Sequence, residues 1–349
     1  MLYAGTYCLK KFLGPLKKNC LFGKILKKDI ISRKHKIKFK QIKRTYCLKV
    51  SNLNFNKDGS SETNTHNNFN FELFILKNKN FNNTKSNYEL LIWFIGFIEG
   101  SCLWKLDLEQ RQNIFIIYQK DPKVLYKIKK LLGFGVIKSC KTKDIIYKYI
   151  VSNQKFIYYL ILVFNGNLIL DKNKLIFKVF LSVFNSKKKN FLKNEGFSFI
   201  SFSRKTPKLT LKNLWLLGFI DSVGSFIIEK KNVKEKTFFY DTYIINSLIF
   251  YFTLLYEEKF IKNLSNVLKT NYITLKYNNN SYKRVYLIGE ENNILLNYLE
   301  KFLLKSQKNI DYVRFKKIYI RFSSAKNEDM YIHLKRRSKK RLQRLIANL

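Results

Sequence analysis

At 349 residues the chain is long enough for two domains of ordinary size, each with its own core. Its longest apolar stretches, 157–164 and 248–256, are too short to cross a bilayer, which leaves a membrane-spanning reading without support. Sixty-seven Lys and Arg against 24 Asp and Glu give a net charge of +43, a self-repelling excess that phosphate backbones neutralise with release of counterions.

The charge is concentrated at the two ends. Residues 1–60 carry 16 Lys/Arg and two acids, and the run 335–344 adds seven cations without an acid. One basic run reads as a solvated tail; two arms flanking a basic core read as nucleic-acid-binding segments. The candidate contacts there are Lys34, Lys36, Lys38, Lys40 and Arg44, and Lys335, Arg336, Arg337, Lys339, Lys340 and Arg341. Anionic lipid is the competing polyanion, but no lipidation motif accompanies the charge. The Cys at 8, 20, 47, 102 and 140 are odd in number with no C-x-x-C pair, and His35, His66 and His333 are scattered. Neither a zinc site nor a disulfide framework follows; no cofactor is expected, and a reducing compartment is the default. Three Ala and three Pro beside abundant Lys, Asn, Ile and Phe fit AT-rich coding DNA, common in organelle genomes.

In chain order, residues 1–28 lack acids, which suits either an organelle-targeting segment or a basic binding arm. Residues 51–87, with 12 Asn, read as a linker or loosely packed extension, so that 1–87 forms an arm and linker. From Tyr88 the pattern sharpens into a helix over 88–100. Strands follow at 103–110, where Trp104, Leu106 and Leu108 alternate with Lys105, Asp107 and Glu109, and at 113–120. Asp121-Pro122 opens a helix that ends at Gly133. Strands at 135–140 and 144–152 precede apolar helices over 154–185. The order then recurs: a helix at 210–222, strands near 224–231 and 237–250, a helix at 257–269, strands at 272–277 and 282–289, and helices at 292–304 and 308–322. The fold class expected is therefore α/β in the α+β sense: two αββαββα repeats, each with a four-stranded antiparallel sheet. They occupy 88–200 and 201–322, joined through 186–209 and followed by a basic tail at 323–349.

Two passages carry the repeat most clearly, LIWFIGFIEGSCLW at 91–104 and NLWLLGFIDSVGSF at 213–226. With QKDPKVLYKIKKLLGFGVI (119–137), NGNLILDKNKLIFKVFLSVFN (165–185) and KNIDYVRFKKIYIRF (308–322), they resemble the LAGLIDADG homing endonucleases and maturases in their single-chain, two-repeat form. The resemblance implies that the two signature helices pack side by side on a pseudo-twofold axis. Small residues four apart permit that approach, here Gly96 and Gly100 against Gly218 and Ser222. It also implies an acidic residue at the penultimate motif position of each helix, the pair holding divalent metal over the scissile phosphates. Those positions are Ser101 and Val223, so the active site is expected to be degenerate, with no catalytic residue and no metal ligand. Glu99 and Asp221 stand two residues upstream, about 200° around the helix, and are expected to point away and bond locally near the helix ends.

The family's sheets lie on nucleic acid. Here Asp107, Glu109, Glu229 and Asp241 dilute the expected sheet surface, and the cations best placed are Lys276, read as alternating outward with Tyr272 and Thr274, and Arg284. Binding is expected to have drifted toward the arms. The reading is a non-catalytic, homing-endonuclease-like RNA-binding protein, first as a structural component of a mitochondrial ribosome contacting rRNA and neighbouring ribosomal proteins. A group I intron maturase is the alternative, and an active DNA endonuclease with displaced ligands the second alternative. Membranes and small-molecule substrates are not expected partners; the location expected is the mitochondrial matrix, with the plastid as the lesser alternative.

Overall fold

The computed structural model describes residues 69–101, 103–107, 112–141, 145–186, 198–237, 240–255, 258–277, 280–288, 291–324 and 330–332. The arm residues Lys34 to Arg44 and Lys335 to Arg341, as well as Glu109, lie outside them. The side chains of Ser101, Lys105, Asp107, Glu229, Asp241 and Lys276 are outside those described as well.

The first repeat runs α1 (Glu72–Lys77), α2 (Lys85–Ser101), β1 (Leu103–Asp107), β2 (Gln112–Gln119), α3 (Pro122–Leu132), β3 (Val136–Lys141), β4 (Ile145–Val151), α4 (Gln154–Phe164) and α5 (Asp171–Ser186). The second runs α6 (Trp215–Val223), β5 (Ser225–Thr237), β6 (Tyr240–Leu255), α7 (Glu258–Leu268), β7 (Tyr272–Tyr277), β8 (Asn280–Ile288), α8 (Asn292–Lys301) and α9 (Lys308–Ser324), with β9 (Met330–Ile332) beyond it. Both sheets are antiparallel and share one topology, β1-β2-β4-β3 and β5-β6-β8-β7. Alternation explains how each sheet finds its core side. Phe115, Ile117, Tyr149 and Val151 are buried from the first, and Phe250, Phe252, Val285 and Leu287 from the second. The helices lie over those rows, leaving the opposite face of each sheet open.

Helices α3 and α7 occupy the same place in the two repeats and share their burial pattern. Val124, Leu125, Ile128 and Leu132 match Phe260, Ile261, Leu264 and Leu268, all buried. Asp121 caps α3, its carboxylate accepting from Lys123 N at 3.0 Å with Pro122 at the first helical position. Gly133 ends it in the left-handed region at φ 79°, and Lys269 takes the same conformation at φ 52° after α7.

Two expectations need correction. Residues 69–87 belong to the packed first repeat: α1 forms there, and Phe69, Phe71, Phe74 and Phe81 are buried. The Asn-rich composition concealed these aromatics, whose burial outweighs the poor helix propensity of their neighbours. The stretch after 322 is likewise more than a tail, because β9 pairs with Tyr243–Ile245 and gives the second sheet a fifth strand. Within the joint between the repeats, residues 198–209 are laid down on the first repeat in extended form. Asn165 fixes them, donating to Ser201 O and accepting from Ser203 N, both at 2.8 Å. Two residues on, Asn167 does the same for the lead-in, accepting from Asn70 N at 2.9 Å and donating to Asn70 O at 2.7 Å. Gly166 between them has φ +82°, which lets one turn present both amides.

Candidate functional site

Helices α2 and α6 meet so closely that a Cβ on Gly96 would strike the carbonyl of Trp215, and one on Gly218 the carbonyl of Trp93. Further along, Gly100 faces Ser222, and a Cβ there would lie 2.6 Å from the Ser222 side chain and 3.1 Å from Val223 Cγ1. The four small residues singled out in the sequence thus form the contact, and the two motif ends converge on the same spot. Trp93 stacks on Phe97 at 5.4 Å and Trp215 on Phe219 at 5.1 Å, an aromatic pair four apart on each helix.

The carboxylates are wired crosswise. Trp215 Nε1 donates to Glu99 at 2.8 Å, and Trp93 Nε1 donates to Asp221 at 2.9 Å, each indole reaching the acid of the other helix. Glu99 further accepts from Ile169 N at 2.9 Å and Leu170 N at 2.7 Å, at the start of α5. Asp221 accepts from Lys305 N at 3.0 Å and from Ser306 N at 3.1 Å, just before α9, and from the Ser306 hydroxyl. Each acid therefore satisfies backbone donors at a helix N-terminus, where the macrodipole favours an anion. The expectation of local bonding was wrong in one respect. The partners lie 70 to 128 residues away in sequence, because each motif acid is buried between the two repeats rather than at its own helix surface. Burial raises the Glu99 carboxyl to about 7, the N–H donors opposing the shift.

Lys308 closes the other side. Its ammonium donates to Ile220 O at 3.1 Å and Ser222 O at 2.8 Å, capping the C-terminus of α6. Burial pulls this group down to about 8. Asn173 Nδ2 makes an equivalent contact in the first repeat, donating to Glu99 O at 3.0 Å.

The family resemblance implies divalent metal at the converging helix tips, and the side chains described there do not suit one. Val223 is apolar, Ser222 offers a neutral hydroxyl, and the Glu99 and Asp221 oxygens are occupied by N–H donors. The Lys308 ammonium beside the tip of α6 adds positive charge where a cation would have to sit. Among the described residues no cluster of three His, Cys, Asp or Glu could hold a metal ion.

The open sheet faces form the second part of the site. Arg284 pairs with Thr253 and Ile273 on the row opposite Phe252 and Val285, and its guanidinium lies 4.5 Å over the Tyr251 ring. Burial lowers its pKa. The Lys276 side chain lies outside those described; within β7, Tyr272 pairs with the fully buried Val285 and packs onto the core, whereas Ile273 pairs with Arg284 and is exposed. Sequence reasoning missed Lys138 and Lys148. They are directly opposed across β3 and β4, on the face away from Ile137 and Tyr149. Their alternation with apolar neighbours was the signal. A like-charge pair directly opposed across a sheet is unfavourable by itself and suits a bridging phosphate.

Two repeated αββαββα units on one helix-pair axis, each with an antiparallel sheet, define a pseudo-dimeric architecture. The family model described as "LAGLIDADG endonuclease" matches residues 216–319. The "Probable intron-encoded endonuclease 4" of Neurospora crassa is 35% identical over 147 residues, 42% of this chain and 25% of that protein. The "Probable intron-encoded endonuclease aI3" of Kluyveromyces lactis is 27% identical over 263 residues, 68% of this chain and 57% of that protein. The chain thus spans between a quarter and three fifths of the length of these curated relatives. Among solved structures, the LAGLIDADG meganuclease I-AabMI bound to uncleaved DNA superposes with a TM-score of 0.54 at 19% identity, covering 74% of this chain and 98% of that one. I-CpaMI bound to uncleaved DNA gives 0.52 at 18%, with the same coverage. The fold is that of the single-chain, two-repeat LAGLIDADG meganucleases, and the second repeat matches the LAGLIDADG family model.

Proposed function

We propose that this protein binds structured RNA without cleaving nucleic acid, and that it acts in a mitochondrion as a folding cofactor for a group I intron. The observation that carries the reading is the chemistry of the helix junction. Hydrolysis of a phosphodiester through metal needs anionic oxygens to fix the ion and offset developing charge. Position 223 supplies a methyl-bearing side chain and position 101 a neutral hydroxyl, while Glu99 and Asp221 are consumed in holding α5 and α9. Binding needs none of that chemistry, and the net charge of +43 favours it. The intron-encoded names of the relatives support an intron RNA as partner. A structural role in a mitochondrial ribosome is the second reading, favoured by the excess of charge in the two ends of the chain.

The test has two arms. Purified protein incubated with a plasmid library in Mg²⁺ is expected to leave DNA uncut, whereas addition of the protein accelerates splicing of its own host intron transcript. Nicking at any Mg²⁺ or Mn²⁺ concentration overturns the non-catalytic reading. Inert behaviour in splicing together with co-sedimentation with ribosomal subunits transfers the assignment to the ribosome. Restoring carboxylates with Ser101→Asp and Val223→Asp is expected to create Mg²⁺ binding, read by titration calorimetry, that the native chain lacks.

A further inference from the structure

Helix α3 packs on the core side of the first sheet through Val124, Leu125, Ile128 and Leu132, so its opposite face points away from both the core and the open sheet surface. That outer face is made of Lys123, Tyr126, Lys127 and Lys130, spaced three and four apart and all exposed. From Lys123 to Lys130 the rise is about 10 Å, enough to meet more than one phosphate of a backbone. Among the described residues none of these lysines is paired with a carboxylate, and Asp121 is occupied as the helix cap. Tyr126 stands between the lysines, 59% exposed.

The face continues into the second repeat. Lys127 Nζ donates to the Lys305 carbonyl at 2.7 Å, which places the two lysines side by side across the repeat boundary. The pKa of Lys305 is lowered, first by burial and then by the Lys127 charge, with Glu89 and Asp221 as the opposing acids. Exposed Lys301 follows at the end of α8.

Nothing in the fold demands this cluster. Helix α7 occupies the equivalent place in the second repeat with the same length and the same buried pattern; it has Lys259 where α3 has Lys123 and Lys262 where α3 has Tyr126, but Asn263 and Asn266 where α3 has Lys127 and Lys130. Nor is Lys123 explained by helix stability, because a cation in the first turn opposes the macrodipole. Lys130, in the last turn, does have such an explanation, and Lys269 after α7 has it too. What remains, particular to α3, is Tyr126 set among Lys123, Lys127 and Lys130 and joined to Lys305 of the other repeat, in a chain whose charge already calls for a polyanion.

We propose that the outer face of α3, with the segment 301–305, is a second nucleic-acid surface, on the side of the molecule away from the open sheets. It would take the phosphate backbone of structured RNA and stack one unpaired base on Tyr126. The proposal rests on the RNA-binding reading above and adds to it the surface that grips. Phosphate contact by lysine is salt-sensitive and indifferent to sequence, and the base–ring contact is what separates looped RNA from a continuous duplex.

The experiment uses the full chain and two probes of equal length, a transcript of a group I intron core and a DNA duplex, each titrated across a salt series. Lys123→Gln, Lys127→Gln and Lys130→Gln together are expected to reduce the slope of log affinity against log salt by about two for the RNA. The equal charge loss on the matching helix, Lys259→Gln, Lys262→Gln and Lys269→Gln, is expected to change it by less than one. Tyr126→Ala is expected to weaken RNA about tenfold and to leave duplex binding unchanged. Because Lys127 also ties the two repeats, the pair Lys123→Gln and Lys130→Gln serves as the variant that keeps this bond, with an expected loss of more than one in slope. Equal effects from the α3 and α7 sets, or none from either, overturn the second surface while leaving RNA binding intact. Failure of the native chain to bind the transcript overturns the functional reading itself.

Discussion

Glu99 shows how one residue can be retained for one reason and misread for another. Its carboxylate is 5% exposed and its pKa is raised by burial to about 7, above the ordinary 4.5. In that interval the folded state binds a proton that the unfolded chain has released. The contribution is therefore fully present below about pH 4.5 and is lost as pH rises through 7. Thermal melting across pH 4 to 8 is expected to show this decline, and Glu99→Gln to flatten it. Lys308 has the opposite slope in a different window. Its pKa is depressed to about 8, so stability it withholds at neutral pH returns as pH climbs from 8 toward 10.5. The glycines offer a second contrast at this scale. Gly96→Ala or Gly218→Ala forces a methyl into a backbone carbonyl of the facing helix, which cannot rotate aside, and is expected to cost about 3 kcal/mol in denaturant unfolding. Gly133→Ala meets open space and only pays for its left-handed φ, about 1 kcal/mol.

At the scale of elements, the turn Asn165-Gly166-Asn167 joins pieces that the sequence separates widely. Asn167 reaches back 97 residues to Asn70, and Asn165 forward 36 to Ser201. Asn167→Ala removes a two-way amide bond to a backbone segment and leaves Val163 O without its side-chain donor. A loss of about 2 kcal/mol is expected, with faster amide exchange confined to 69–77. A uniform rise in exchange would mean that the lead-in is not a separate docking unit. The elements themselves were legible where local chemistry is strong. Asp121-Pro122 and Gly133 bracketed α3, and apolar periodicity gave both signature helices. They were illegible at 69–84, where the helix exists because Phe71 and Phe74 find a core contributed by α4, a contact no local window contains.

For the whole molecule, charge is the quantity that matters. Binding to RNA is expected to weaken steeply with salt, and neutralising Lys335, Arg336, Arg337, Lys339, Lys340 and Arg341 to glutamine is expected to shrink the salt slope by several units. An unchanged slope would mean that this end of the chain makes no phosphate contact. Crosswise wiring of Trp93 to Asp221 and Trp215 to Glu99 predicts that the two repeats unfold together. Trp93→Phe and Trp215→Phe are each expected to lower a single cooperative transition by about 2 kcal/mol, because each leaves a buried carboxylate one donor short. Two resolved transitions in either variant would show the halves to be independent.

By itself the sequence determined the repeat, the order of its elements, the small residues of the helix contact, and the absence of an acid at Ser101 and Val223. These are properties of spacing and residue type, and periodicity carries them without reference to distant partners. Only the tertiary structure decided what Glu99 and Asp221 do, which row of β7 faces the core, and that the lysines of α3 meet those of 301–305. Each of these depends on groups brought together from opposite halves of the chain, and hydrogen bonds and like charges act over a few ångströms of space, whatever the separation along the backbone.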